Sequence, residues 1–272
     1  LDMTTLVTFG DSHSAGAELE CKGHPGSPER AYPAKIAEHY GWKSINLSTC
    51  GGSNAWLWKT FEDCMPILME KEEDLFVLCN FTEISRMYFW DNGSSPMDPY
   101  NFEPYRYARH VTTVALDPDL HKNPDKEHCV WPVGIIEQYR YWLKRNTDQQ
   151  LAEKTLRIIK DIQSICKYHK IPFLFHTSLN WFEGDWKNID KQTFYGHQED
   201  EYTEKYLWRR AIDYSYWGVA TNHKDWKQIQ KKPRWSMHYP EEYHEFWAKT
   251  MIDFIEEQGI LNSLDMPSWL SV

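Results

Sequence analysis

The sequence is short of positive charge and has no long apolar run. Its 30 lysines and arginines face 40 aspartates and glutamates, and the formal net charge is −10. Because phosphate backbones require a basic footprint, we expect no nucleic-acid partner. A membrane helix requires roughly 20 apolar residues, and the chain begins without a basic segment followed by an apolar one. We therefore expect no signal peptide, no membrane partner and a cytoplasmic location.

Metal-binding patterns are also missing. The six cysteines are scattered, with no C-x-x-C pair, and no H-E-x-x-H motif occurs. The sequence therefore predicts no metal ion, and nothing in it requires a cofactor. A chain of 272 residues can bury a large core, so free and mostly buried thiols are expected rather than disulfides.

Aromatic residues, in contrast, are plentiful. The chain has 14 Trp, 16 Tyr and 12 Phe, and 41% of it is hydrophobic, which excludes a disordered chain. Two interpretations stay open, because exposed rings suit stacking on sugars whereas buried rings fill a core. The clusters are Trp56 and Trp58, Tyr88 to Trp90, Tyr139, Tyr141 and Trp142, and Trp181 and Trp186.

Short apolar runs alternate with segments of helical periodicity. Strands are predicted over 6–9, 44–47, 75–79 and 172–176. Helices are predicted over 34–40, 55–69, 134–145, 148–169, 202–217 and 241–257. Continuous apolar runs of strand length are typical of a parallel sheet that is covered on both faces. The pattern predicts a three-layer α/β/α fold with a mostly parallel sheet.

We expect a single domain over 4–260 and a C-terminal tail over 261–272. The pattern of strands and helices breaks up at about 88–132, where aromatic residues are dense and prolines stand at 96, 99, 104, 118, 124 and 132. This segment is predicted to be an insertion in the domain.

Three of the predicted strands end in residues suited to chemistry. Gly10-Asp11-Ser12 follows the first strand, Gly51-Gly52 follows the second, and Asn80 follows the third. Ligands of such sheets bind at the carboxyl ends of the strands. The sequence therefore predicts that a hydroxyl, a glycine-rich turn and a side-chain amide meet at one edge of the sheet.

These residues, together with a late His238-Tyr239-Pro240, resemble the four sequence blocks of SGNH (GDSL-type) hydrolases. The likeness runs from about residue 6 to about residue 256 and skips the insertion. It implies a flavodoxin-like α/β/α fold and the hydrolysis of an ester through an acyl-enzyme.

The resemblance also implies a role for each block. Ser12 would be the nucleophile and His238 the general base. The backbone N–H groups of Ser12 and Gly51 and the side-chain amide of Asn80 would form the oxyanion hole. These roles suit the residue types, because a serine hydroxyl needs an adjacent base and a tetrahedral oxyanion needs fixed N–H donors.

One position departs from the family pattern. SGNH hydrolases usually carry an aspartate three residues before the catalytic histidine, and that position is Trp235 here. The carboxylate that orients the histidine is therefore missing or comes from elsewhere. The candidates are Asp225, Glu241 and Glu242. A Ser-His dyad is the default expectation, with weak activity if control of the histidine tautomer fails.

The roles of several neighbouring residues stay open. Gly51 and Gly52 compete for the oxyanion role, and the spacing of the block favours Gly51. Asp11 is predicted to hydrogen-bond nearby backbone, as aspartate does in turns, and not to act as an acid or base. Arg86 could hold an anionic substrate group or pair with Glu83 on one helix face, and the pairing is the favoured interpretation.

Two functions of different classes are compatible with the sequence. The first is an esterase acting on a small-molecule ester, with O-acetyl groups of a carbohydrate suggested by the aromatic content. The second is a weak or inactive protein that kept the fold and recognises a glycan. This second interpretation draws on a loose likeness to SGNH-like proteins of viral genomes and would make the chain virion-associated. The oligomeric state is left open.

Overall fold

A computed structural model describes most of the chain. It covers residues 3–20, 26–90, 97–102, 108–111, 133–178, 186, 188–196, 216 and 238–262. Outside the described residues lie the greater part of the predicted insertion, most of the predicted helix 202–217, residues 263–272, Asp225 and Trp235.

Four parallel strands form the central sheet. The strands of the chain are β1 (Thr5–Phe9), β2 (Lys43–Asn46), β3 (Leu75–Phe81), β4 (Met87–Trp90), β5 (Ala108–Val111) and β6 (Phe173–Thr177). The central sheet has the order β2-β1-β3-β6, and each neighbouring pair in it is parallel. This is the flavodoxin-like order, in which ligands bind where the strand order reverses. The reversal lies between β1 and β3, at the ends that carry Asp11 and Asn80.

Six helices surround or extend from this sheet in the described part of the chain. They are α1 (Ser12–Ala15), α2 (Tyr32–Tyr40), α3 (Asn54–Lys71), α4 (Val133–Arg145), α5 (Asp148–Tyr168) and α6 (Glu241–Glu257). The Ser53 hydroxyl starts α3 by accepting a hydrogen bond from the Trp56 N–H. A capping box of Thr147 and Gln150 starts α5. The ends of the predicted elements that fall within described residues are displaced by at most two residues.

Helices cover both faces of the sheet. Successive residues of β1 point to opposite layers: Val7 and Phe9 pack with α3 and α5, whereas Leu6 packs with α2 and α6. All three side chains are fully buried. Burial on both faces explains why the strands are continuously apolar, and the predicted three-layer α/β/α fold is confirmed.

The rings of the aromatic clusters differ in burial: three of those that the structure describes are buried, and Tyr141 is exposed. Trp56, Tyr139 and Trp186 are at most 6% exposed. The exposed large aromatic side chains of the described residues are Tyr100, Tyr141 and Tyr168. Core packing therefore accounts for the buried rings, and these rings give no support to stacking on sugars.

The predicted insertion contributes an antiparallel strand pair. β4 pairs with β5, and Tyr88 lies opposite His110 in the register. The Tyr88 ring packs edge-on against the Trp56 ring of α3, with centroids 5.3 Å apart. The insertion thus packs back onto the helix that follows the second sequence block.

The cysteines of the described residues meet the expectation of free and mostly buried thiols. Cys50, Cys64, Cys79 and Cys166 are free thiols, and Cys50 alone of these is not buried. Cys21 and Cys129 lie outside the described residues. No helix in the described part of the chain has the length and apolar character needed to cross a membrane.

Buried histidines and tyrosines join β6 to the helices on one face. The Tyr32 hydroxyl hydrogen-bonds His176 Nε2 at 2.8 Å, and the Tyr32 N–H donates to His244 Nδ1 at 3.2 Å. Because Nδ1 accepts, the proton of the neutral His244 ring is on Nε2, which donates to the Tyr216 hydroxyl at 3.2 Å. His244 therefore has a structural role: its ring accepts a hydrogen bond from the first N–H of α2 and so caps the N-terminus of that helix.

Burial keeps these imidazoles neutral. It lowers the pKa of His176 to about 4 and the pKa of His244 well below its usual value. His13 packs against the Tyr216 ring, and burial lowers the pKa of His13 to about 3. In weakly acidic solution these histidines are therefore neutral in the folded protein, whereas they bind protons in the unfolded chain.

We expect the free energy of unfolding to decrease as the pH falls below about 6.5, the usual histidine pKa. Between that value and the lowered folded-state pKa, the unfolded chain binds more protons, so each buried histidine removes about 1.4 kcal/mol per pH unit. Urea unfolding at several pH values measures the slope. His244→Asn keeps an acceptor for the Tyr32 N–H and should reduce the slope by about 1.4 kcal/mol per pH unit, the contribution of one histidine.

The exposed His169 provides the control. His169→Gln should leave the slope as in the wild type. If His244→Asn and His169→Gln give the same slope, the buried imidazoles are not the source of the acid sensitivity.

Candidate active site

The turn after β1 places Ser12 at the start of α1. The Asp11 carboxylate accepts a hydrogen bond from the His13 N–H at 3.0 Å and so caps this short helix. A Cβ at Gly10 would lie 2.3 Å from Ser14 Oγ and 2.8 Å from the Asn80 Cβ. Glycine is therefore required at this position, because β3 and α1 approach each other too closely for a side chain.

The Asp11 carboxylate is buried and accepts four hydrogen bonds. Oδ1 accepts from the His13 N–H and from Asn80 Nδ2, each at 3.0 Å. Oδ2 accepts from Ser178 Oγ at 2.6 Å and from Arg86 Nη1 at 3.2 Å. Burial alone would raise the pKa of Asp11, but His13, Arg86 and the Ser178 hydroxyl together hold it below its usual value. The group is an anion, and its predicted bond to nearby backbone is confirmed.

Asn80 lies inside β3 and not after it, because β3 continues to Phe81. Its Nδ2 donates to Asp11 at 3.0 Å and to Ser14 Oγ at 3.2 Å. Both amide hydrogens are thus engaged within the protein, and they hold β3 against α1. The oxyanion role of Asn80 stays a prediction, to which these contacts add a positioning role.

The second block forms a tight turn with a left-handed residue, Gly51, at φ +74°. The Gly52 N–H donates to the Thr49 carbonyl at 2.9 Å, so it is occupied within the turn. No hydrogen bond to the Gly51 N–H is present in the described part of the chain. Of the two glycines that compete for the oxyanion role, the geometry favours Gly51.

Asn54 ties this turn to the end of β3. Its Nδ2 donates to the Thr82 carbonyl at 2.9 Å, and its Oδ1 accepts from the Thr82 N–H at 2.8 Å. The pair resembles one rung of a sheet ladder. No local pattern in the sequence indicates this partner of Asn54, which lies 28 residues away.

The Arg86 side chain joins the turn after β1 to the glycine turn after β2. Its Nη1 donates to Asp11 at 3.2 Å and to the Gly52 carbonyl at 3.4 Å. Its Nε is 3.6 Å from a Glu83 carboxylate oxygen. The predicted pair with Glu83 is present, but the two residues lie on a turn rather than on a helix face.

A carboxylate that the sequence did not indicate meets His238. Glu18 Oε2 lies 3.0 Å from His238 Nδ1, and both side chains are 15% exposed. Of the three predicted candidates, Glu241 instead accepts hydrogen bonds from Arg30 and Lys35. Glu242 is exposed, and Asp225 lies outside the described residues.

The His238 ring lies beside the helix that Ser12 opens. It packs against the His13 ring, with centroids 5.0 Å apart. Within the described residues, no hydrogen bond joins Ser12 Oγ to His238. Catalytic hydrogen bonds are often long in ligand-free enzymes and shorten in the complex with substrate.

His110 is a second residue near the site that sequence reasoning missed. β5 carries it over the Gly51 turn, where a Cβ on Gly51 would lie 3.2 Å from the His110 Cβ. Its ring packs edge-on against Trp56 at 5.0 Å. Burial and the charge of Arg86 lower the pKa of His110 to about 3. A neutral imidazole therefore borders the glycine turn.

Two surface hollows lie away from these residues. One, of about 480 Å³, is at the amino ends of the strands and includes Glu72 and Asp74. The other, of about 520 Å³, lies between α2 and α6. Neither is lined by a predicted site residue. Over the described residues, no group of histidine, cysteine or carboxylate side chains could hold a metal ion.

Among the solved structures to which the chain is similar are the following two. One is a protein assigned to the lipolytic G-D-S-L family from Desulfitobacterium hafniense DCB-2, at 11% identity and a TM-score of 0.42. The other is an acetyl xylan esterase, at 12% identity and a TM-score of 0.41. Both alignments cover 92% of this chain and 98% of the other chain. No family model matches the chain, and no curated protein matches it either.

Likeness at this level carries no argument about the reaction. The fold class is established by the strand order and by helices on both faces of the sheet. Ser12 and Gly51 follow β1 and β2, and Asn80 lies near the end of β3, so all three are at the carboxyl edge of this three-layer α/β/α fold.

We expect Asp11→Asn to lower the free energy of unfolding by about 3 kcal/mol or more, because it removes the anion from a buried guanidinium. Chemical denaturation measures the loss. Asp253→Asn is the matched control, since Asp253 pairs with Lys249 on the exposed side of α6 at 2.7 Å. Exposed pairs contribute about 0 to 1 kcal/mol. Equal losses in the two variants would show that Asp11 does not organise the site.

We expect Gly51→Ala to destabilise the protein more than Gly41→Ala. Both glycines are left-handed, at φ +74° and φ +68°, so both alanines carry a backbone cost of about 1–2 kcal/mol. Only the alanine at 51 meets a neighbour, the His110 Cβ at 3.2 Å. The difference, about 1 kcal/mol or more, measures the packing of the insertion on the turn. Equal effects would contradict that contact.

Proposed function

We propose that the protein hydrolyses an ester, with Ser12 as nucleophile and His238 as general base. The observation that carries the proposal is the position of the imidazole, which packs on His13, the neighbour of Ser12, at 5.0 Å between ring centroids. Ser12 is the first residue of α1, so its N–H has no partner within that helix. A hydroxyl, an imidazole and backbone donors therefore belong to one region of the sheet edge.

In the proposed reaction, His238 Nε2 takes the hydroxyl proton as the Ser12 oxygen attacks the ester carbonyl. The oxyanion then accepts hydrogen bonds from the N–H groups of Ser12 and Gly51. Collapse of the intermediate breaks the ester bond, and the leaving alcohol takes the proton from the imidazolium. Water, deprotonated by the same imidazole, releases the acid and restores the serine.

The two backbone donors are supported by the hydrogen-bond pattern. Within the described residues, neither the Ser12 N–H nor the Gly51 N–H has an acceptor. The Asn80 amide is engaged with Asp11 and Ser14. The proposal therefore assigns oxyanion stabilisation to the backbone first and gives Asn80 the task of fixing Asp11.

The proposed substrate is a small-molecule ester. The carbohydrate part of the sequence hypothesis depended on exposed aromatic rings; three of the rings in question are buried, whereas Tyr141 is exposed. An acetylated glycan is therefore a substrate to be tested and not one that the described rings favour.

One alternative has an observation in its favour. Ser12 Oγ makes no hydrogen bond to His238 in the described part of the chain, and both hydrogens of the Asn80 amide are engaged. A protein that kept the fold but binds a ligand without hydrolysing it would have this geometry. Nucleophile reactivity separates the two functions.

We expect a fluorophosphonate probe to label the wild type and p-nitrophenyl acetate to be hydrolysed. Ser12→Ala should abolish labelling, and His238→Gln should slow hydrolysis by about 10³-fold or more. Ser164→Ala is the matched control, because this exposed serine donates only to the Lys160 carbonyl of its own helix. Labelling is measured by mass spectrometry, and a peracetylated sugar is compared with the simple acetate.

A wild type that is folded but neither labelled nor active would favour the binding protein. Labelling that persists in Ser12→Ala would show that another residue is the nucleophile. Faster release of acetate from the sugar would extend the proposal to acetylated glycans.

A further inference from the structure

We propose that Glu18 is the positioning carboxylate of His238 and substitutes for the aspartate that the family pattern would place at 235. The inference rests on the proposed function, because an orienting carboxylate matters only if His238 acts as a base. It assigns a residue from the segment just after the nucleophile, where sequence comparison would not look for it.

The contact itself fixes the state of the ring. Glu18 Oε2 and His238 Nδ1 are 3.0 Å apart. An ionised carboxylate can only accept a hydrogen bond, so Nδ1 must carry the hydrogen. The lone pair of the neutral ring is then on Nε2, which is the tautomer that a general base toward a serine requires.

Burial gives the contact its strength. Each of the two side chains is only 15% exposed. Surface ion pairs are screened by water and contribute little, whereas a shielded carboxylate stabilises a developing imidazolium more effectively. Glu18 is therefore suited to stabilise the charge that His238 acquires during attack.

The backbone holds Glu18 in place by an unusual conformation. Its φ is +61°, in the left-handed region that side chains rarely adopt. The turn begins at Gly16, whose φ of +70° ends α1, and the Ala17 N–H donates to the Ser12 carbonyl at 3.0 Å. This short turn thus holds the backbone of Ser12 by a hydrogen bond and directs the Glu18 carboxylate toward the His238 ring.

Two other carboxylates near the site are committed elsewhere. Glu241 accepts from Arg30 at 2.7 Å and from Lys35 at 3.1 Å. Asp11 accepts from four donors, including Arg86. These contacts leave Glu18 as the carboxylate that meets the His238 ring in the described residues.

The test compares Glu18→Gln with Glu20→Gln. Glu20 is exposed on the same segment and is the matched control. We expect Glu18→Gln to reduce kcat by about 10²- to 10⁴-fold with KM nearly unchanged, because the tautomer is lost while the pocket is kept. Glu18→Asp should recover part of the rate, and Glu20→Gln should match the wild type. Thermal unfolding of each variant checks that the fold is kept.

A second readout does not depend on turnover. A ring N–H that donates to a carboxylate gives a proton resonance far downfield in the NMR spectrum. We expect this resonance in the wild type and in Glu20→Gln, and its loss in Glu18→Gln and in His238→Gln. If it persists in Glu18→Gln, the inference is overturned.

The two readouts separate the inference from the proposed function. If the wild type neither reacts with the fluorophosphonate nor hydrolyses the ester, the proposed function fails and Glu18 has no catalytic task, whatever the resonance shows. If Ser12 is labelled and Glu18→Gln keeps full kcat, the proposed function stands and the inference about Glu18 falls. A lost resonance together with a lower kcat supports both.

Discussion

A single buried anion, the Asp11 carboxylate, fixes the geometry of the sheet edge. Its four donors come from α1, β3, the turn after β3 and the end of β6. A carboxylate removed from water without such donors would cost several kcal/mol. All four segments must therefore pack around Asp11 in the folded protein. Because Ser12 is next to Asp11 in the chain, this packing also fixes the position of Ser12.

Side chains that donate hydrogen bonds to Asp11 have fewer donors to offer a substrate. Asn80 and Arg86 both donate hydrogen bonds to Asp11. The absence of a side chain at Gly10 allows Asn80 to approach closely. Of the groups that we propose for the reaction, the backbone N–H groups of Ser12 and Gly51 and the imidazole of His238 are not bound to Asp11. The site therefore depends on the course of the main chain more than on polar side chains, which fits a fold whose motifs are short and rich in glycine.

Sequence reasoning succeeded where the signal is local. The apolar run at 75–79 predicted β3, and helical periodicity over 55–69 and 148–169 predicted α3 and α5, because each of these signals lies within neighbouring residues. It failed where the partner is distant in the chain: Glu18 and His238 are separated by 220 residues, and Asp11 and Ser178 by 167. Neither pair has a local pattern, because both depend on how the segments meet after the sheet has formed.

The same contacts decide between the two roles considered for Arg86. Its guanidinium is 9% exposed and faces the Asp11 carboxylate at 3.2 Å and the Glu83 carboxylate at 3.6 Å. The other basic group beside the Gly51 turn, His110, is neutral because its pKa is lowered to about 3. No uncompensated positive charge therefore faces the turn from these two residues, and an anionic substrate would meet no counter-charge from them. For the hydrolysis that we propose, these contacts favour an uncharged ester, whose charge would develop only in the tetrahedral intermediate and would be met there by N–H donors.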